Sequence, residues 1–340
     1  MHSAQVILEV KGLTTSFQTP GGSVKAVKDL GFTLRRGETL AIVGESGCGK
    51  SVTSFSLMRL LAAQARIEGE AWLTTREGAR LDLLALPERE MAQVRGNQLG
   101  MIFQEPMTSL NPLQQVGDQI AEAMLVHGIC GKAQAQARAL DLLRLVGISA
   151  PEVRARQYPH QMSGGMRQRV MIAIALSCKP QVLIADEPTT ALDVTIQAQI
   201  LRLMRKLQGE VGMGMLFITH DMGVVAQIAD RVAVMYGGQL VELADTRTLF
   251  RRPLHPYTQG LLASVPRPGQ GGRLVGIPGQ VETVYGEPVG CRFVNRCALA
   301  ADVCRAERPV LAVHPEQQLV RCHFAGQAGA AHPAPMTRAT

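Results

Sequence analysis

Short apolar runs bounded by glycine, proline and charged residues mark out the strands of this chain. Val6-Ile7-Leu8-Glu9-Val10 and Gly31-Phe32-Thr33-Leu34, set apart by Pro20-Gly21-Gly22 and Arg36-Gly37, predict antiparallel strands joined by turns. They lead into a third run, Thr39-Leu40-Ala41-Ile42-Val43, and then a segment from Ser51 to Ala63 that reads as a helix. From about 117 to 178 the pattern turns helical, and Ala133 to Val146 stops at Gly147, as a helix ending on a left-handed cap would. Strands resume at Val182-Leu183-Ile184-Ala185 and Met215-Leu216-Phe217-Ile218. Arg231 to Tyr236, Gly237-Gly238 and Gln239 to Glu242 then have the form of a hairpin with a two-residue turn. No internal repeat is evident. After about residue 250 proline and glycine become frequent and periodicity weakens, which predicts a domain boundary; the Ala/Gly/Pro/Thr-rich stretch 326–340 reads as a disordered tail.

Composition narrows the class. With 340 residues, 46% hydrophobic and 19% charged, the chain is of ordinary globular type and long enough for about two domains. Runs such as Met171 to Leu176 fall far short of the roughly 20 apolar residues a membrane span needs. Met1-His2-Ser3-Ala4-Gln5 has no basic stretch leading into an apolar one, so a cytoplasmic location is expected. The net charge of +7 permits nucleic acid or an anionic surface as partner. Scattered basic residues and 4% aromatics favour the plainer reading of a basic surface with phosphate ligands and no nucleic acid.

Five separated stretches carry the chemistry: Gly44-Glu45-Ser46-Gly47-Cys48-Gly49-Lys50-Ser51, Gln104, Ser163-Gly164-Gly165, Asp186-Glu187 and His220. The first has the spacing of a phosphate-binding loop, and its setting between a strand and a helix is the one such a loop requires. Gly44, Gly47 and Gly49 let backbone N–H groups approach phosphate oxygens, Lys50 neutralises them, and the Ser51 hydroxyl is placed to ligate Mg2+. Asp186 closes an apolar strand and is expected beside this loop, holding Mg2+ through water. Glu187 is the candidate general base or water-positioning group. Cys48, next to Lys50 at a helix N-terminus, is expected either to be an activated thiol whose alkylation blocks nucleotide binding, or to be an inert small residue.

These residues resemble the nucleotide-binding subunit of an ABC transporter over about residues 6 to 250. Ser163-Gly164-Gly165-Met166 resembles the family signature Leu-Ser-Gly-Gly-Gln, with Met162 in place of the leading Leu and Met166 in place of the final Gln. The resemblance implies an α/β fold: an N-terminal antiparallel β subdomain, a RecA-like core, an inserted helical subdomain at about 112–178, and a C-terminal extension spanning 251–325. It also implies two subunits joined head to tail around two ATP molecules, each signature completing the partner's site. Gln104 matches the loop glutamine that senses Mg2+ and attacking water, Ala191-Leu192-Asp193 the D-loop, and His220 the switch histidine at the γ-phosphate. Phe17 falls where the family places an adenine-stacking aromatic, although core packing explains it equally well.

The phrases Phe103 to Pro112, Tyr158-Pro159-His160-Gln161, Asp193 to Gln199 and His255-Pro256-Tyr257-Thr258 resemble the dipeptide and oligopeptide permease branch, with nickel and glutathione importers as near relatives. Membership implies a peripheral subunit on the cytoplasmic face of the membrane. Its partners would be a homologous ATPase, two transmembrane permease subunits and, indirectly, an extracytoplasmic substrate-binding protein. Cys291, Cys297, Cys304 and Cys322 gather near the end in a C-x5-C-x6-C-x17-C pattern, read either as a four-thiolate metal site or as buried free thiols. The surrounding Gly290-Cys291-Arg292-Phe293, Arg296-Cys297 and Val320-Arg321-Cys322-His323 resemble the cysteine motif of peptide-permease ATPases, which implies a [4Fe–4S] cluster, with zinc as the fallback. A soluble ABC ATPase acting on DNA or ribosomes is the competing class. One cassette and no heptad run argue against it.

Overall fold

Two sheets organise the chain, and their strands follow from different sequence patterns. In the computed structural model, residues 5–190, 192–265, 276–281, 286–287 and 289–325 are described; the expected disordered tail, 326–340, and Ala191 of the D-loop stretch lie outside them, as do the side chains of Pro106 and Met107. The first sheet is antiparallel. It contains β1 (Val6–Thr19), β2 (Gly22–Arg35), β4 (Ala65–Thr74) and β5 (Arg80–Asp82) in the order β2-β1-β4-β5. Lys11 and Gly12 end the apolar run in the sequence, yet β1 continues through them because Gly12, at φ 59°, accommodates register shifts on both partners. β4 went unforeseen because its first half, Arg66, Glu68 and Glu70 included, is largely exposed and lacks an apolar face.

The second sheet holds the core. Beside β3 (Thr39–Val43) it contains β6 (Leu99–Ile102), β7 (Val182–Asp186), β8 (Gly214–Thr219), β9 (Arg231–Tyr236), β10 (Gln239–Asp245), β11 (Ala312–Val313) and β12 (Leu319–Val320). Its order is β11-β12-β10-β9-β3-β8-β7-β6; the run from β9 to β6 is parallel and the rest antiparallel. β3, β7 and β8 are buried at every residue, which is why they read as near-continuous apolar runs. Period-two alternation distributes their side chains. Leu40, Ile42, Leu216 and Ile218 pack toward the antiparallel sheet, Met215 and Phe217 toward the helices, and Ala41 and Val43 toward Tyr257, Leu262 and Phe293 of the C-terminal segment.

The helical layer contains Val116–Val126, Lys132–Leu145 and Gly164–Leu176, contributing Ile120, Ala139, Leu143, Val170 and Ile172 to one core. Gly147, at φ 76°, follows the second of these helices as expected. The helix after the phosphate loop is shorter than its pattern suggested: it spans Lys50–Met58 and closes at Arg59, whose φ of 51° turns the chain out of helical conformation. The β9–β10 turn is as the sequence predicts, with Gly237 and Gly238 at φ 52° and 80°, the mirror-image turn that matches strand twist. Beyond residue 250 the chain returns to the core, since β12 pairs with β10 and so adds the end of the extension to the edge of the main sheet.

The hairpin turn generates a test. A Cβ at Gly238 would lie 2.6 Å from the Ala26 carbonyl oxygen, whereas one at Gly212, at φ 69°, meets nothing within 4 Å. Gly212→Ala is expected to cost about 1 kcal/mol through its backbone conformation alone. Gly238→Ala is expected to cost roughly 2 kcal/mol or more, because the neighbouring strand must also move. Urea midpoints of the two variants should differ in that order.

Candidate active site

The phosphate loop is forced into shape by its surroundings. Gly44, Gly47 and Gly49 have φ of 155°, 79° and 97°. A Cβ at Gly44 would meet the Met235 carbonyl oxygen at 2.3 Å, and one at Gly49 the Ala26 carbonyl oxygen at the same distance. Only glycine fits. Ser46 and Gly47 form the exposed rim, while Lys50 is buried and donates from Nζ to the Gly44 and Glu45 carbonyl oxygens at 2.8 and 3.1 Å. The residue before the helix is Gly49, which has no side chain to cap it, and a helix start is where an anion is favoured.

Two adjacent carboxylates stand at the ends of the parallel strands and have opposite electrostatics. Asp186, the last residue of β7, is 1% exposed; Ser51 Oγ donates to its Oδ1 at 3.1 Å and Ser54 Oγ to its Oδ2 at 3.2 Å. Burial raises its pKa, while the two hydroxyls oppose the shift. Glu187 sits in left-handed conformation at φ 46°, held by its N–H to the Ile218 carbonyl at 2.9 Å. Its Oε2 accepts from Thr190 Oγ1 at 2.9 Å and Gln104 Nε2 at 3.3 Å, and its Oε1 lies 3.1 Å from His220 Nδ1. Burial pushes this carboxyl up, but the hydrogen bonds from His220 and Thr190, with the His220 and Lys50 charges, carry it below the ordinary range.

The structure thus gathers Lys50, Ser51, Gln104, Asp186, Glu187 and His220 at one sheet edge. Sequence reasoning missed Ser54 and Thr190. Each lies three residues beyond a predicted site residue, Ser51 or Glu187, and that spacing was the available signal. Phe17 is half-buried near the end of β1, opposite Val24 and Ala65; two residues earlier, Thr15 bonds Ser56 of the Lys50–Met58 helix at 2.7 Å. This end of β1 therefore runs alongside the phosphate-loop helix.

Ser163, Gly164 and Gly165 stand elsewhere. Ser163 caps the Gly164–Leu176 helix by accepting from Met166 N–H at 3.4 Å, and that helix packs at β6. β6 is separated from β3 by β8 and β7, about 14 Å across the sheet at the usual strand spacing. Asp193 caps the Val194–Val211 helix, accepting from Ile196 N–H at 2.9 Å. Of the two readings of Cys48, burial favours the inert one: its thiol is fully buried, and desolvation outweighs the Lys50 charge to push the pKa up.

Cys291, Cys297, Cys304 and Cys322 all line one small cavity, together with His255, Phe293 and Phe324. Burial raises Cys291 and Cys297, and takes Cys322 to about 11, with the other three cysteines adding to the last shift. His323 is engaged elsewhere, its Nε2 lying 3.0 Å from the Glu307 carbonyl oxygen. Among the described residues no group of three or more His, Cys, Asp or Glu side chains is arranged to hold a metal ion. A four-thiol lining is nevertheless the donor set of soft metals and iron–sulfur groups. The same C-terminal segment reaches the phosphate loop through Tyr257 and Arg296, both in contact with Glu45 from more than 200 residues away in sequence. No local pattern announces those contacts.

A glycine-built phosphate loop feeding a helix, with two acids at the end of β7 two strands away, defines a P-loop ATPase cassette. The family described as ABC transporter matches residues 27–190, and the one described as oligopeptide/dipeptide transporter, C-terminal region, matches 241–304. The oligopeptide transport ATP-binding protein OppD of Salmonella typhimurium is 50% identical over 313 residues, covering 92% of each chain. The dipeptide transport ATP-binding protein DppD of Bacillus subtilis is 48% identical over 322 residues, covering 94% of this chain and 95% of the relative. Among solved structures, the dimeric post-hydrolysis ATP-binding cassette MJ0796 bound to ADP and phosphate superposes with a TM-score of 0.63 at 27% identity, covering 71% of this chain and 99% of that one. The chain belongs to the ATP-binding proteins of ABC transporters and is an ATPase of that type.

Two outcomes follow from this geometry. Glu187→Gln is expected to keep ATP binding while lowering hydrolysis by roughly 100-fold or more, measured as phosphate release at saturating ATP. Cys48 is expected to resist iodoacetamide at neutral pH without ATP and to react on denaturation, as peptide mapping by mass spectrometry would show.

Proposed function

We propose that this chain is the ATP-hydrolysing subunit of an importer that takes up dipeptides or oligopeptides, working at the cytoplasmic face of the membrane. Hydrolysis rests on one observation above others: the Glu187 carboxylate is held by Gln104, Thr190 and His220 beside the Ser51–Asp186 pair. The peptide assignment rests on the match of residues 241–304 to the oligopeptide/dipeptide C-terminal region and on the two peptide-transport relatives. Among the described residues no helix is long and apolar enough to cross a membrane.

In this reading Lys50 exchanges its bonds to the Gly44 and Glu45 carbonyls for bonds to ATP phosphate oxygens, as the loop N–H groups close on them. Ser51 and Asp186, already paired through oxygen, would hold Mg2+ with Gln104 nearby; hard oxygen donors suit that ion. When bound, it neutralises charge on the β- and γ-phosphates. Glu187 orients a water toward the γ-phosphorus and takes its proton; the new P–O bond forms as the bond to ADP breaks, and His220 steadies the departing phosphate.

Ser163 to Gly165 open a helix that packs at β6, three strands from β3, which supports a head-to-tail pair in which each signature completes the partner's ATP site. The related cassette MJ0796 is described as dimeric. The partner is a homologous ATPase, and two permease subunits dock near Gln104. A substrate-binding protein delivers peptide from outside. Cys291, Cys297, Cys304 and Cys322 would hold a [4Fe–4S] cluster. Zinc is the alternative occupant of the same four thiols, which line one cavity with His255 and Phe293.

Co-purification tests the assembly: the tagged chain should bring down a second cassette and two membrane subunits, with ATPase activity stimulated by peptide-loaded binding protein. Stimulation by nickel or glutathione alone would redirect the substrate, and stable association with DNA or ribosomes would overturn the importer. A brown protein with iron and sulfide in near-equal amounts is expected from anaerobic preparation; a colourless, zinc-loaded one would reject the cluster.

A further inference from the structure

The side chain of Arg296 leaves the cysteine-bearing segment and grips the phosphate loop. Its two terminal nitrogens donate to the Glu45 carboxylate at 2.8 and 3.1 Å, a bidentate pair. The rest of the guanidinium is already fixed: Nε donates to the Pro278 carbonyl at 2.8 Å, one terminal nitrogen to the Ile277 carbonyl at 3.3 Å, and the other to Tyr236 Oη at 3.4 Å. The Tyr236 ring lies 5.7 Å away beneath the charge. The backbone of Glu45 is held as well, its N–H donating to Tyr257 Oη at 2.9 Å.

Glu45 is the second residue of that loop, between Gly44, packed against the Met235 carbonyl, and the exposed rim at Ser46 and Gly47. Anchored at both its amide and its carboxylate, it has little freedom left to lose when phosphate arrives, and such preorganisation favours affinity. The anchors are continuous with the cysteine cavity. Arg296 immediately precedes Cys297, and Tyr257 packs edge-on against Tyr236 and Phe293 at centroid distances of 4.7 and 5.4 Å, Phe293 being part of the cavity wall.

We infer that Arg296 and Tyr257 are positioning residues for ATP binding, acting through Glu45, and that the cysteine-bearing segment and the ATP site are energetically coupled through them. Coupling of this kind is reciprocal, so ATP must stabilise the segment by the factor by which the segment favours ATP. Lysine cannot reproduce the planar fork, so Arg296→Lys retains charge without geometry. The inference rests on ATP occupying the loop.

The test uses the full-length chain with a fluorescent ATP analogue and Mg2+, and the assembled transporter for turnover. Arg296→Gln is expected to raise Kd and KM about tenfold, as loss of a charged hydrogen-bonding partner does, with kcat kept within about twofold; Arg296→Lys falls between. Glu45→Gln and Tyr257→Phe should weaken binding in the same way, and the Arg296→Gln/Glu45→Gln double variant should be little worse than the weaker single one. Hydrogen exchange over residues 291–297 should slow on ATP binding in the wild type and not in Arg296→Gln. Unchanged Kd in a folded Arg296→Gln, or fully additive losses, would overturn the coupling; if that variant does not fold, Glu45→Gln and Tyr257→Phe decide by the same criteria. Lys50→Ala separates the premise: retained ATP binding there rejects the placement of ATP on this loop, whereas its loss beside an unaffected Arg296→Gln rejects only the coupling.

Discussion

Everything at the site depends on the close fit of one loop. Residues 44 to 51 are wedged between the carbonyl of Met235 on β9 and that of Ala26 on β2, with no room for a Cβ at either Gly44 or Gly49. The wedge ties the antiparallel sheet, the parallel core and the β9–β10 hairpin to the same few atoms. Backbone carbonyls cannot move aside as side chains can, so the loop takes up left-handed conformations that only glycine tolerates without strain. That conformation aims the amides and the start of the following helix at whatever anion enters.

Asp186 and Glu187 show how neighbouring residues of like charge are given different work. Burial dominates at Asp186, and two serine hydroxyls keep its carboxylate hydrogen-bonded where a cation would join them. Glu187 lies one residue further out, its side chain reversed by a left-handed backbone, and meets donors from three separate loops. The outer acid is therefore held below the ordinary carboxyl range while the inner one is raised above it. Environment, rather than residue type, sets the two acids apart: one is raised by burial, the other lowered by its donors.

The C-terminal segment contributes to the cassette beyond its cysteines. β12 extends the main sheet at β10, Tyr257 and Phe293 complete the core beneath Ala41 and Val43, and Arg296 closes on Glu45. What reads in sequence as an appended, proline-rich region is in space a support for the ATP site.

Most of the parallel core was legible because strands buried on both faces must be apolar throughout, as Val182 to Ala185 and Met215 to Ile218 are. The phosphate loop, the two acids and the double-glycine hairpin were legible for a similar reason: each needs particular residue types at fixed local spacing. β4 was not, since an exposed strand paired mainly through its backbone leaves no periodic trace. The sequence left Cys48 open between an activated and an inert thiol because proximity to Lys50 is visible in sequence and desolvation is not. The sequence by itself determined which local pieces could bind phosphate, close a turn or fill a sheet. Only the tertiary structure decided that Thr190, His220 and Gln104 converge on one carboxylate, that the signature stands three strands away from the loop, and that Arg296 reaches Glu45, because those contacts are set by strand order and burial, which no local spacing encodes.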